Sequence, residues 1–580
     1  MADPRPSVPP EVSPDGADAA ACRRRAFECA RAGDARGART AIETWLRAAP
    51  EDGPAHRLRA TVLLHLGDVA GAVAAFQRAV RHGCDDASTH VQLGMALKFR
   101  GRCADASRHF RRACALDPSD ANARWADAVG VLPMVPASAA EIDAAVAAFA
   151  DRVAGLERWW ADNPGAAADG AVAEPNPFQI AYFERDSRAE LARYGALCAR
   201  LMARWDAGRA RPVPAPAIVA DRRRRVAVVS RYFYRHSVWT AIVKGMLRGL
   251  DARRFRIDLF HVGDRRDAET DFARACAAGY VPGLMRTDAA VDVVRAAAPD
   301  ILIYPEIGMD PLSTRLAALR LAPVQAVSWG HPVTSGLPTV DRFLSAAAFE
   351  PPDGAAHYTE RLVPLPGLGA QVERDAVVAA PVDWAGFGID PRRPYFVCPG
   401  VPWKYTPAFD AALRAIAARV PDAQFVFFRP DVQAAAAESL RARLAAAFAQ
   451  AGLATAGRLA FVPWLGRSEF FGLVAHAAAC LDGIGFSGFN TALQSLQAGT
   501  PVVTRAGRFM RGRLAAGLQA HVGLGEFAAD DDAGFVERAA ACAAPGVDRA
   551  RRGARIRAAA ERAFDDAAPM RALAAELLRA

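Results

Sequence analysis

Of the 72 basic residues in this 580-residue chain, three are lysines and 69 are arginines. Where arginine has displaced lysine almost everywhere, a retained lysine is a place to look for chemistry, and one of the three is Lys404. A second candidate is His236, in VAVVSRYFYRHSVWT. A histidine in the loop after the first strand of an α/β domain points into the cleft at the strand ends, where a near-neutral pKa suits a general base. Two later runs end in turns rich in Gly, Pro, Ser and Thr, YPEIGMD and WGHPVTSG, within residues 300–341. These turns line the same cleft and bring Gly330 and His331 to it. Finally, LDGIGFSGFNTALQSLQAGTPVV (481–503) reads as strand, Gly-rich loop, helix and strand. Its loop offers backbone N–H groups at Ser487, Gly488 and Phe489, and its helix starts near Asn490 and Thr491. A helix N-terminus with small and hydroxyl residues is suited to a diphosphate.

Short apolar runs must position these residues. Strands are expected at Val226–Ser230, Phe255–Val262, Asp300–Pro305 and Pro323–Trp329. A second series is expected at Tyr395–Cys398, Gln424–Arg429, Leu459–Pro463, Ala479–Gly483 and Pro501–Thr504. Helical patterns such as TAIVKGMLRGL, AAVDVVRAAA and PAFDAALRAIAARV alternate with them. Buried strands alternating with helices imply parallel, doubly wound sheets. Two series divided near Asp383 imply two Rossmann-like domains facing each other, with ligand at the carboxyl ends of the strands.

Upstream the chain repeats. Segments beginning at Pro50, Cys84 and Pro118 are spaced by 34 residues, and Gly67/Gly101, Ala60/Gly94, Ala72/Ala106, Phe76/Phe110 and Ala79/Ala113 keep that phase. Gly33 and Ala38 extend it backwards. Small residues let paired helices approach closely while the Phe fills the gap to the next pair, as in tetratricopeptide (TPR) repeats. The expected division is a Pro-rich flexible tail (1–20), TPR-like repeats (21–138), a helical connector and linker (139–222), a first Rossmann-like domain (223–382) and a second with terminal helices (383–580).

Composition removes other classes. Apolar residues at 52% and charged residues at 23% exclude general disorder. No run of eighteen uncharged apolar residues and no basic-then-apolar leader are present, so no membrane span and a cytoplasmic location are expected. The ten cysteines lack a C-x-x-C pair and read as small hydrophobes. The net charge of +9 comes from arginine spread through every segment, with one dense run at Arg222–Arg225, and basic stripes interleaved with aromatics are absent. Nucleic acid is therefore not expected as a partner. No G-x-G-x-x-G follows the first strand and no G-x-x-x-x-G-K-[ST] is present, which disfavours nicotinamide, flavin and P-loop chemistry. Asp530–Asp532 precede FVERAAACAA and read as a helix cap, not a metal motif.

Together, NPFQIAYFERDSRAELARYG, VSRYFYRH, RLAPVQAVSWGHPVTSGLPTVD, HYTERLVPLPG, KYTPAFDAALRAIAARVPDAQ and LDGIGFSGFNTALQSLQAGTPVVT resemble the family of protein O-GlcNAc transferases and SPINDLY-type enzymes. PEIGMD and GHPVTSG are similar to the cytoplasmic N-glycosyltransferases that modify bacterial adhesins. The resemblance spans about residues 175 to 560 and implies an α + α/β chain, a TPR-like α-solenoid followed by a GT-B fold. It implies inverting, metal-independent transfer, without cofactor, from a nucleotide sugar to protein side chains. His236 matches the family's active-site histidine and Lys404 its diphosphate-contacting lysine. Donor contacts are implied at Lys404, Gly330, His331, Phe470, Gly488, Phe489, Asn490, Thr491 and Gln494. Gln494 stands where the family has an acidic ribose ligand, Phe489 and Phe470 where it has histidines, and Leu473 where Arg is frequent. A UDP-sugar (UDP-GlcNAc or UDP-hexose) is the favoured donor, with nucleotide and sugar left open. The implied acceptor is a protein held by the repeats, flagellin or adhesin among the candidates, modified on Ser/Thr or less readily on Asn. The alternative is a repeat scaffold whose transferase-like domain no longer turns over.

Overall fold

A computed structural model describes residues 17–209, 221–374, 376–430 and 434–579. Most of the expected tail and linker lies outside them. The chain divides between Ala123 and Arg124 into two compact units.

The first unit contains three helical hairpins: Ala17–Arg31 with Ala35–Ala48, Gly53–His65 with Val69–Arg81, and Ala87–Phe99 with Cys103–Leu116. The phase of 34 recurs in the capping. Asp34 and Asp68 each accept a backbone N–H three residues on, at Gly37 and Gly71, as Asp52 and Asp86 do from Ala55 and Thr89. Each cap satisfies one N–H that the helix itself leaves unpaired. Ala38, Ala72, Ala106, Phe76 and Phe110 are fully buried, and each phenylalanine contributes about 1.5–3 kcal/mol. Gly94 is glycine for a visible reason, since a Cβ there would stand 2.5 Å from the Phe110 ring.

The second unit holds two parallel sheets. In the first are β1 (Arg224–Ser230), β2 (Phe255–His261), β3 (Gly279–Val281), β4 (Ile301–Tyr304), β5 (Val324–Ser328), β6 (Arg342–Ala346) and β7 (Arg361–Leu365), in the order β3-β2-β1-β4-β5-β6-β7. The second has β8 (Tyr395–Val397), β9 (Gln424–Arg429), β10 (Leu459–Pro463), β11 (Ala479–Leu481), β12 (Val502–Arg505) and β13 (Ala528–Ala529), in the order β10-β9-β8-β11-β12-β13. Both are doubly wound, with switch points between β1 and β4 and between β8 and β11. β3, β6, β7 and β13 were not visible as apolar runs. β6 opens on Arg342, and β7 carries Arg361 and Pro364; as an edge strand it tolerates proline. Both arginines pair with Glu576 of the C-terminal helix.

The dense arginine run has a structural use. Arg223 pairs with Asp221 at 2.7 Å, and Arg225 pairs with Asp300 at 3.0 Å, tying the amino end of β1 to that of β4. Of the cysteines, Cys84, Cys198, Cys398, Cys480 and Cys542 are buried as expected, whereas Cys276 is exposed. Asp531 caps the helix Asp532–Cys542 through the Gly534 N–H.

The connector joins the two sheets. After the helix Ala139–Asp162 and a 3-10 turn at Phe178–Tyr182, the helix Arg188–Ala207 docks on the first sheet. There a Cβ on Gly195 would stand 2.2 Å from the Gly336 carbonyl oxygen. Trp125 belongs with this unit: its indole N–H donates to the Pro175 carbonyl at 3.0 Å, and its ring meets Trp160 and Tyr194.

Candidate active site

Every candidate residue lies in the loop or in the helix that follows the carboxyl end of a strand, and the main ones follow strands at the switch points. His236 follows β1 and Lys404 follows β8, while Gly488 to Gln494 follow β11. Gly330 and His331 follow β5.

Lys404 ends a 3-10 turn, Pro402–Lys404, held from behind by a buried ion pair. Arg443 donates to the Tyr405 carbonyl at 2.6 Å and pairs with Asp410 at 2.7 Å. The half-buried Lys404 ammonium sits 4.9 Å from the centre of the Phe486 ring. Burial pulls its pKa below the ordinary lysine value, and buried Asp482 opposes that shift. Among the described residues no carboxylate pairs with it.

Asp482, at the end of β11, organises the Gly-rich loop. It accepts from the hydroxyls of Ser487 at 2.5 Å and Thr504 at 2.8 Å, and from the Gly488 N–H at 2.8 Å. The Ser487 N–H donates to the Arg511 carbonyl at 2.7 Å. This corrects the expected donor set. The N–H groups of Ser487 and Gly488 hold the loop in shape, which leaves the start of the helix Asn490–Ala498, whose first N–H groups have no partner within the helix. Phe489 is also turned to packing, buried at 5.2 Å from the Trp329 ring and 5.7 Å from the Phe349 ring of the first domain.

Beside this helix are two cavities. One, of about 160 Å³, is lined by Pro399, Phe428, Trp464, Phe470, Thr491 and Gln494, among others. Trp464 is 55% exposed at its mouth, and sequence reasoning missed it; an unexplained Trp in a strand-to-helix turn was the available signal. The other, of about 80 Å³, lies between the domains. Arg235, Thr240, Lys244 and Glu269 line it on the first domain's side, and Asn490 and Gln494 on the second's. Gln494 lines both. The structure therefore brings Phe470, Asn490, Thr491 and Gln494 to one helix end, with the Lys404 stem against Gly400 of the same pocket, and sets Arg235 of the His236 loop across the gap.

The near-neutral pKa expected of His236 is not what the geometry gives. Its ring stacks on Tyr232, with 4.0 Å between centres, and Tyr234 meets it edge-on. Burial, then the charge of Arg265, pushes its pKa down to about 4. Nδ1 accepts the Val238 N–H at 3.2 Å, so the neutral ring carries its proton on Nε2 and serves as a donor. The helix after it opens with a π turn, Trp239–Val243. His331 is buried, its ring stacked on Phe178 at 5.3 Å, and burial holds it neutral with a pKa down to about 3. Gly330 approaches Pro305 so closely that a Cβ would lie 2.4 Å from that carbonyl oxygen. The two turns are thus packed against each other.

Among the described residues no helix is long and apolar enough to cross a membrane.

No protein-family model matches the chain. It is 26% identical over 336 residues to a probable UDP-N-acetylglucosamine--peptide N-acetylglucosaminyltransferase SPINDLY of Oryza sativa subsp. japonica, covering 55% of this chain and 34% of that one. The corresponding protein of Arabidopsis thaliana is 28% identical over 225 residues, covering 38% and 24%. The chain thus spans about a third or less of the length of these relatives. In structure it matches a mutant of the Thermobaculum terrenum O-GlcNAc transferase with a TM-score of 0.72 at 22% identity, covering 98% of both chains. In sequence the chain is thus similar to SPINDLY-type proteins, and its fold, a helical repeat region followed by a GT-B fold, is that of a bacterial O-GlcNAc transferase.

Proposed function

We propose that the chain is a glycosyltransferase moving a sugar from a nucleotide sugar to side chains of a protein held by the repeats. The observation that carries this is the aromatic pocket beside the start of the helix Asn490–Ala498, whose Gly400 wall lies against the Lys404 stem. Phe428, Trp464 and Phe470 offer faces for a base, and base–aromatic stacking contributes about 1–3 kcal/mol. Thr491 and Gln494 offer polar edges to a ribose. Lys404 and the helix N-terminus supply fixed positive charge for the diphosphate, the role a metal would otherwise fill. The favoured donor is UDP-GlcNAc or a UDP-hexose, as the names of the relatives support.

With the diphosphate on the second domain, the anomeric carbon faces the first. An acceptor hydroxyl attacks from that side as the bond to the diphosphate breaks, which inverts the configuration, and its proton passes to an oxygen of the departing diphosphate. His236 donates from Nε2 and orients the reacting partners. Protein acceptors on Ser/Thr are favoured, flagellin and adhesins among them, in the cytoplasm.

Calorimetry of the full chain with UDP, GDP and CMP tests the reading. Tight binding of one nucleotide fixes the donor class; binding of none returns the chain to the scaffold alternative. The pH profile tests His236. Because its pKa is depressed, the ring stays neutral as pH falls from 8 to 5 and protonates only near 4. Activity should therefore show no limb near 6.5 that disappears in His236→Gln. Such a limb would restore His236 as the base.

A further inference from the structure

We propose that Phe178 and Tyr182 of the connector form an aromatic relay that sets the position of Lys404, making the connector part of the donor site; this rests on the assignment of Lys404 to the donor diphosphate. The rings are continuous across the two domains. His331, in the turn after β5, stacks on Phe178 with 5.3 Å between centres and 20° between planes. Phe178 meets Tyr182 edge-on at 5.2 Å, and Tyr182 lies 4.4 Å from Phe486 in the loop after β11. The far end of the row is the Lys404 ammonium, 4.9 Å from the Phe486 ring centre.

The segment carrying the middle rings is tied to both sides. Arg511 donates to the Phe183 carbonyl at 3.0 Å and to that of Arg185, while Glu184 pairs with Arg505 and accepts the Arg508 N–H at 3.1 Å. On the other side Arg188 donates to the Tyr358 carbonyl at 2.7 Å. Gly485, at φ +94°, lets the loop pass within reach of Glu184, where a Cβ would stand 3.1 Å away. Lysine has a long, flexible stem, and a free ammonium must lose that freedom when it binds phosphate. Here the ring face holds the cation by its quadrupole, and Tyr182 holds the ring. Tyr182 and Phe178 are positioning residues, acting on the donor through Lys404.

The test uses full-length Tyr182→Leu, Tyr182→Phe, Phe486→Leu and Lys404→Ala with whichever of UDP, GDP or CMP the wild type binds, and with the matching nucleoside. Tyr182→Leu and Phe486→Leu should each weaken the nucleotide on the order of tenfold and leave the nucleoside, which sits on Phe428 and Phe470, unchanged. Tyr182→Phe keeps the ring and should bind as wild type. Phe486→Leu removes only the ring under the ammonium, so it serves if Tyr182→Leu does not fold. Nucleotide affinity within twofold of wild type in both leucine variants, with Lys404→Ala still impaired, would overturn the relay alone. Equal loss of nucleotide and nucleoside would also overturn it, as a structural effect. Unimpaired Lys404→Ala, or a wild type that binds no nucleotide, would instead overturn the diphosphate assignment and the relay with it.

Discussion

Lys404→Ala is expected to lower sugar transfer by about 10²–10³-fold, the loss typical of removing one preorganised group from a developing negative charge. The leaving diphosphate gathers charge as the bond to the sugar breaks, so the ammonium matters more in the transition state than in the bound substrate. Stability should move the other way. Burial pulls the Lys404 pKa below the ordinary value, which means folding disfavours the charged form. At pH 7 the wild type carries that cost and the alanine variant does not. Activity should therefore fall while the melting temperature holds or rises, the signature of a residue kept for function at the expense of stability. Lys404→Arg should recover only part of the loss, because a longer, planar guanidinium spreads the charge that the ammonium over Phe486 presents as a compact point. Thermal melts and initial rates on the three proteins decide it. A melting temperature that falls with activity would make Lys404 a structural residue.

What could be read before the fold was known follows from what glycine, lysine and apolar runs report locally. The strands β1, β2, β4, β5 and β8 to β12 are short, mostly apolar runs, and their loops were placed at the cleft because parallel sheets leave few other places. Local pattern does not report which polar groups are already engaged. Asp482 reads as the end of a strand, yet it takes the Gly488 N–H that a diphosphate had been expected to use. The pKa of His236 depends on Tyr232 and Tyr234 folding around it and on Arg265 of a neighbouring loop. NPFQIAYF was recognisable as a segment, but its contact with both sheets arises only when the connector crosses between them.

The same distinction governs Gly517, whose importance is invisible along the chain. It lies in the helix Leu514–Val522 of the second domain, facing the first. A Cβ there would stand 2.1 Å from the Ala348 carbonyl oxygen and 2.7 Å from Cδ1 of Phe349. The first of these is backbone and cannot turn aside, so Gly517→Ala must move the helix or the strand end. Overpacking of this kind costs about 1–3 kcal/mol. The larger effect should be on catalysis. The Ala515 N–H of this helix donates to Ser487 at 2.8 Å, and Phe349 touches Phe489 at the head of the helix Asn490–Ala498. A displacement is thus passed to the Gly-rich loop by a hydrogen bond and by a ring contact at once. Misplacing reacting groups by about 1 Å costs on the order of 10²-fold, so Gly517→Ala should lose about that much in kcat while Gly525→Ala, whose added Cβ meets nothing within 4 Å, should lose none. If Gly517→Ala keeps wild-type kcat despite a lowered melting temperature, the two domains tolerate a shift in their contact and the site does not depend on how closely they meet.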